Sequence, residues 1–308
     1  MKDLEYINLS TNIEIFANQV VEGFITGIHK SPYHGFSVEF AEHRLYNNGE
    51  STRHIDWKLY ARTDKFFIKK YEEETNLRCQ IIIDTSSSMY YPNFDNATLN
   101  APNKILFSIY ASAVLMNLLK RQRDAIGIST FSDKLEVHTS SRATHRHHQL
   151  LYHELDKLLN NDPLVDVKRT NSFDAIHQIS EMLHRRSLVL VFSDMINETE
   201  DLDSQFEAFR HLRYNKHEVV LFYLHESKTE LNLEFENRPY NFTDVETGDK
   251  IKLNPFQYQK AYQKYTNDFL ENLRMKCMQY KIDLVEVDIN EGFEQILTSY
   301  LLKRQKMF

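Results

Sequence analysis

The chain has 308 residues, 42% hydrophobic and 26% charged, enough for one large core or two small ones. Its net charge of -7 argues against non-specific nucleic-acid binding. Two cysteines, Cys79 and Cys277, are too few for a disulfide framework and read as buried apolar thiols in a reducing compartment. No apolar run approaches the roughly 18 residues that span a membrane. The start, MKDLEYINLSTNIEIF, is acidic and polar where a signal peptide is basic and then apolar. The expectation is a soluble cytoplasmic protein.

In chain order, residues 1–76 hold one helix, 12–27, and then a segment rich in charge and aromatics. From residue 77 a regular alternation begins. Nearly continuous apolar runs predict strands at 79–83, 126–131, 135–138, 188–193, 219–224 and 283–287. Helical patterns fall between them at 103–121, 146–160, 172–185, 202–213, 256–280 and 292–303. The first of these is apolar almost all round and should be deeply packed. Residues 235–256 read as a β-hairpin insertion turning near Thr247-Gly248-Asp249. The predicted fold is α/β, a doubly wound, mostly parallel sheet spanning 77–308, with residues 1–76 as an N-terminal extension. The seven glycines form neither a Gly-x-Gly-x-x-Gly turn nor a Gly-x-x-x-x-Gly-Lys loop, so a standard nucleotide cradle is missing.

The first strand runs into CQIIIDTSSSMYY, placing Asp84, Ser86 and Ser88 in one turn. The fourth, LVLVFSDM, ends at Asp194. In the common strand order 3-2-1-4-5-6 these two strands are neighbours, and their carboxyl ends flank the switch point where such sheets bind ligands. Thr170 opens the loop before the helix beside the fourth strand. Asp84, Ser86, Ser88, Thr170 and Asp194 then form an all-oxygen set suited to a hard divalent cation, Mg²⁺ or Mn²⁺. The plainer reading of the serine run is a helix cap.

Asp-x-Ser-x-Ser, then Thr, then Ser-Asp closing a later strand, resembles the metal-ion-dependent adhesion site of von Willebrand factor A domains. The resemblance implies that the serines and threonine hold the metal directly or through water. The aspartates act mostly through water, and a partner's acidic residue completes the shell. Before the first strand, Gly35, Ser37, Glu39, Phe40, Arg44, Tyr46, Gly49, Arg53, Ile55, Asp56, Trp57, Ala61, Arg62, Thr63 and the charged run 70–74 resemble the family called domain of unknown function 58. Glu50 departs from that pattern, where the family carries Asp. This resemblance implies an adaptor or co-chaperone working with a MoxR-type AAA+ ATPase. Arg44, Arg53, Asp56, Trp57 and Arg62 read either as a clamp fastening the N-terminal segment to the A-type domain or as a docking face for a partner.

Three functions compete. The first is a non-enzymatic binding module that captures an acidic residue through Mg²⁺. The second is a metal-dependent phosphatase or phosphotransferase using Asp84, which lacks the acid/base carboxylate two residues on, since Ser86 stands there. The third is a metal-free scaffold. His145, His147, His148 and His153 could be considered for zinc, but they lack a defined ligand set and read as a solvated helix start. His34 and His43 have no serine or cysteine at a spacing that marks a triad. The basic end, Lys303 to Lys306, reads as compensation of a helix C-terminus.

Overall fold

The computed structural model describes residues 13–30, 43–45, 60, 62–63, 67–69, 77–92, 96–160, 172–196, 202–244 and 248–307. The chain divides into two compact units, one comprising Gly23–Asn76 and the other Met1–Glu22 with Leu77–Phe308. In the smaller unit, β1 (His43–Leu45) pairs antiparallel with β2 (Phe67–Lys69), setting Arg44 opposite Ile68.

The larger unit is built on a six-stranded sheet. Its strands are β3 (Arg78–Asp84), β4 (Ala125–Phe131), β5 (Leu135–His138), β6 (Leu188–Ser193), β7 (Glu218–His225) and β10 (Asp283–Asp288), in the order β10-β7-β6-β3-β4-β5. Every neighbouring pair is parallel except β4 with β5. Read from the β5 edge this is the order 3-2-1-4-5-6 with an antiparallel edge strand. The central strands are covered on both faces, which is why they are apolar without alternation: Ile81, Ile82, Ile83 and every residue from Leu188 to Phe192 are fully buried.

Helix α2 (Lys104–Arg121) is buried from Lys104 to Leu119. Its all-round apolarity follows from being sandwiched. One side meets β3 and β4. On the other, α1 (Ile13–Lys30) sets Phe16 edge-on to Tyr110, with ring centroids 4.8 Å apart. The pairing is fixed by Asn117 donating to Asn18 at 2.6 Å and by Lys120 bridging Glu14 at 2.7 Å. Asn103 caps α2, its side chain accepting from Leu106 N–H at 2.9 Å.

On the other face, α4 (Ser172–Met182), α5 (Leu202–Tyr214) and α6 (Pro255–Tyr280) share one core with alternate strand residues, Val189 and Val191 on β6 and Val219 and Leu221 on β7. The hairpin between β7 and α6 forms as β8 (Tyr240–Thr243) and β9 (Lys250–Leu253), with Gly248 in its turn at φ +78°. That left-handed conformation is the one glycine adopts without penalty. Both cysteines are buried free thiols, and burial pushes Cys277 up to about 12.

Two expectations need correction. The histidine-rich start of α3 (His145–Leu159) is not simply solvated: His147 and His148 are buried on the face of Leu151, Tyr152, Leu155 and Leu158. His147 Nε2 lies 2.9 Å from the Ile126 carbonyl. Spacing of three and four residues from Leu151 puts both imidazoles on the helix's inward stripe. The basic end lies within α7 (Glu294–Met307) and does more than offset a helix terminus. Lys303 bridges Glu218 and Asp283 at 2.7 and 2.6 Å, and Arg304 pairs with the buried Asp124. These pairs fasten α7 to the sheet.

Candidate metal-binding site at the switch point

The register of β3 with β6 sets Ile83 beside Phe192, so Asp84 and the Ser193–Asp194 pair leave the sheet side by side. After Asp84 the chain makes a short 3-10 turn, Ser87–Tyr90. Asp84 organises it: Oδ1 accepts from Ser86 N–H at 2.9 Å, while Oδ2 accepts from Ser193 Oγ at 2.8 Å. Ser86 and Ser88 bring their hydroxyls to 3.2 Å of each other. After β6, Met195 takes a left-handed conformation, φ 53°, a geometry that costs a non-glycine residue about 1–2 kcal/mol. Two local hydrogen bonds hold it, Met195 N–H to Ser193 Oγ at 2.9 Å and Ile196 N–H to Asp194 Oδ1 at 3.2 Å. This strained turn sets the direction of Asp194.

Asp84, Ser86, Ser88 and Asp194 are thus gathered at one mouth, all withdrawn from solvent. Thr170, the fifth predicted ligand, lies outside the described residues, as do Arg53, Asp56 and Trp57 of the charged N-terminal segment and the departing residue Glu50. Arg62 is exposed.

Two residues that the sequence reading missed complete the electrostatics. Lys104, the first residue of α2, is buried and donates to Asp194 Oδ2 at 2.7 Å and to Glu230 Oε1 at 2.6 Å. Glu230 arrives on a π-helical turn, Ser227–Leu231, tethered by a hydrogen bond between Thr229 and Tyr91. Burial alone would lower the Lys104 pKa, but the charges of Asp194 and then Glu230 outweigh it and hold the ammonium protonated. Among the described residues, Asp84 has no cationic partner. Burial, and then the charge of Asp194, push its carboxyl up to about 7.

The donor set fits a hard divalent cation. Asp194 and Glu230 share the Lys104 ammonium, whereas among the described residues Asp84 accepts only from the neutral Ser86 N–H and Ser193 hydroxyl. Two adjacent hydroxyls supply neutral oxygen ligands. A cation beside Asp84 would offset the charge that burial leaves uncompensated.

A doubly wound α/β domain with an oxygen-lined mouth at its switch point is what the fold and the site define. The chain belongs to the family described as protein of unknown function DUF58, which it matches over residues 42–272. It is 29% identical over 77 residues to uncharacterized proteins of Mycobacterium bovis and Mycobacterium tuberculosis. That stretch covers 25% of this chain and 24% of each relative's length. Among solved structures, it is similar to the conserved hypothetical protein BatB from Bacteroides thetaiotaomicron, with 14% identity, 75% of this chain and 100% of that one covered, and a TM-score of 0.44. It is also similar to the SpRpn10 VWA domain, at 13% identity over 72% of this chain and 93% of that one, with a TM-score of 0.38. Among the described residues, no helix is long and apolar enough to cross a membrane.

Proposed function

We propose that the chain is a non-enzymatic, metal-dependent protein-binding module. Mg²⁺ or Mn²⁺ is held by Asp84, Ser86, Ser88 and Asp194 together with Thr170, and recruits an acidic side chain of a partner. The observation that carries the reading is the gathering of two carboxylates and two hydroxyls from separate strand ends, with Asp84 bonded only to neutral donors among the described residues. Binding rather than catalysis is supported by the state of Asp84. Both its oxygens are engaged by neutral donors and it is fully buried, which disfavours a nucleophile. Ser86 stands where an acid/base carboxylate would be needed.

In this proposal the partner is a MoxR-type AAA+ ATPase or a client that it acts on, the chain serving as adaptor. The charged segment with Arg44, Arg53, Asp56, Trp57 and Arg62 offers a second docking face or a clamp within the chain. The test is binding of the purified chain to a purified MoxR-type ATPase, measured by interferometry in constant Mg²⁺ so that the ATPase keeps its own metal. Wild type should bind, and Ser88→Ala should weaken binding more than about tenfold. Equal affinity of both proteins would remove the metal from the interface, and no binding by either would remove this partner.

A further inference from the structure

A second group of metal-ligating side chains lies on the two helices that flank β6. His177 and Glu181 stand four residues apart on α4, a spacing that puts both on one face. His211 on α5 meets them. One ligand atom from each of the three falls within 4.8 Å of the others, and no other such group of histidine, cysteine and carboxylate residues occurs among the described residues. The His177 and His211 rings stack, with centroids 4.4 Å apart and planes at 27°. Both rings are half-buried, while Glu181 is exposed.

We infer that His177, Glu181 and His211 form a zinc site that clips α4 to α5, with water in the fourth position. Two imidazoles and one carboxylate are a known three-ligand set for Zn²⁺, which is less hard than Mg²⁺ and favours nitrogen. Tetrahedral ligation at about 2.0–2.2 Å places ligand atoms roughly 3.4 Å apart. The present spread closes by rotation of the exposed Glu181 and a tilt between the stacked rings. The supporting frame is firm. The two helices run side by side, and Asn215 donates to Ser180 one turn further along both, at 3.3 Å. Ala175, Ile176 and Ile179 of α4 and Phe206, Phe209 and Leu212 of α5 share one core beneath the histidines.

This site differs from the switch-point mouth in ligand chemistry and in place. Both helices run from the carboxyl edge of the sheet back towards its amino edge, so His211, near the end of α5, sits away from Asp84. The two sites can therefore be tested separately. The full chain carrying Asp84→Asn, which disables the oxygen mouth, is dialysed against Zn²⁺, and its metal content and affinity are measured. Co²⁺ is then substituted, and the visible d–d absorption reports coordination. The expected result is one Zn²⁺ per chain, a four-coordinate Co²⁺ spectrum, and more than about tenfold weaker binding in both His177→Ala and His211→Ala. Glu181→Gln should weaken binding too; its exposed side chain makes it the variant least able to disturb the fold. Metal-free thermal midpoints equal to that of the Asp84→Asn parent show that the variants fold. No Zn²⁺ binding by the parent, or the same affinity after Glu181→Gln and His211→Ala, would overturn the site.

Discussion

Lys104 Nζ lies 2.7 Å from Asp194 Oδ2, and both side chains are withdrawn from solvent. This contact links the start of the most deeply buried helix to the carboxylate at the sheet's switch point. It also makes Asp194 a poor residue for probing a metal. Replacing it would remove a metal ligand and strand a buried ammonium in one step.

Lys104→Met separates these effects. Removing one partner of a buried ion pair costs about 3–5 kcal/mol, because the other charge is left uncompensated. The thermal midpoint in EDTA should fall accordingly. The carboxylates of Asp194 and Glu230 then lack their cation, so Mg²⁺ should raise the midpoint of Lys104→Met more than that of wild type. Equal increments in the two proteins would mean that Lys104 and the metal do not share a site.

Gly127 on β4 is fixed by crowding rather than by backbone angle. A Cβ there would stand 2.4 Å from Gln80 Oε1 and 2.4 Å from the Thr139 carbonyl oxygen. Gln80 cannot simply swing away. Its amide nitrogen donates to Ser129 Oγ at 2.8 Å, and its oxygen accepts from Ser141 at 3.1 Å. Gly127→Ala should destabilise the fold by about 1–3 kcal/mol, the usual cost of overpacking. Urea unfolding should show this as a lower midpoint at unchanged slope.

Buried histidines, His148 and His217 among them, set an acid limit. Burial, joined for His148 by the charge of Lys120, leaves both pKa values below the ordinary 6.5, and the Ser187 N–H that His217 Nδ1 accepts also favours the neutral ring. In the window below 6.5 the unfolded chain binds protons that the folded chain does not, so stability falls as pH falls. Above it both states are neutral and these residues contribute no slope. His217→Asn keeps an acceptor where Nδ1 takes the Ser187 N–H at 3.2 Å. It should flatten the stability profile between pH 6.5 and 5, measured by urea midpoints. An unchanged profile would assign the acid limit to other groups.

Much of this was legible from residue patterns. Uninterrupted apolar runs gave the central strands, the alternation of strands with helices gave the doubly wound class, and the order common to that class set Asp84 beside Asp194. What escaped depended on three-dimensional placement. Lys104 reads as an ordinary polar start to an apolar helix. Its burial comes from the end of β6 and the π-helical turn, which bring Asp194 and Glu230 onto its ammonium, although a lysine opening a helix that is apolar all round was a signal. Glu230 sits in SKTEL, which reads as a surface loop, and a π-helical turn carries it inward. His147 and His148 were misread because their number drew attention from their spacing, which matches the buried stripe of α3. His177, Glu181 and His211 come from two helices whose side-by-side packing no single segment encodes.

A cation at the Asp84 mouth is tested most directly by thermal unfolding of wild type against Asp84→Asn, in millimolar Mg²⁺ and in EDTA. The asparagine keeps an oxygen for the Ser86 N–H and removes the charge. At 100 times its dissociation constant a ligand stabilises by about 2.7 kcal/mol, which for a domain of this size is a rise of roughly 5–10 °C. That rise is expected in wild type and is lost in Asp84→Asn. An equal response of the two proteins to Mg²⁺, or none in wild type, would contradict it.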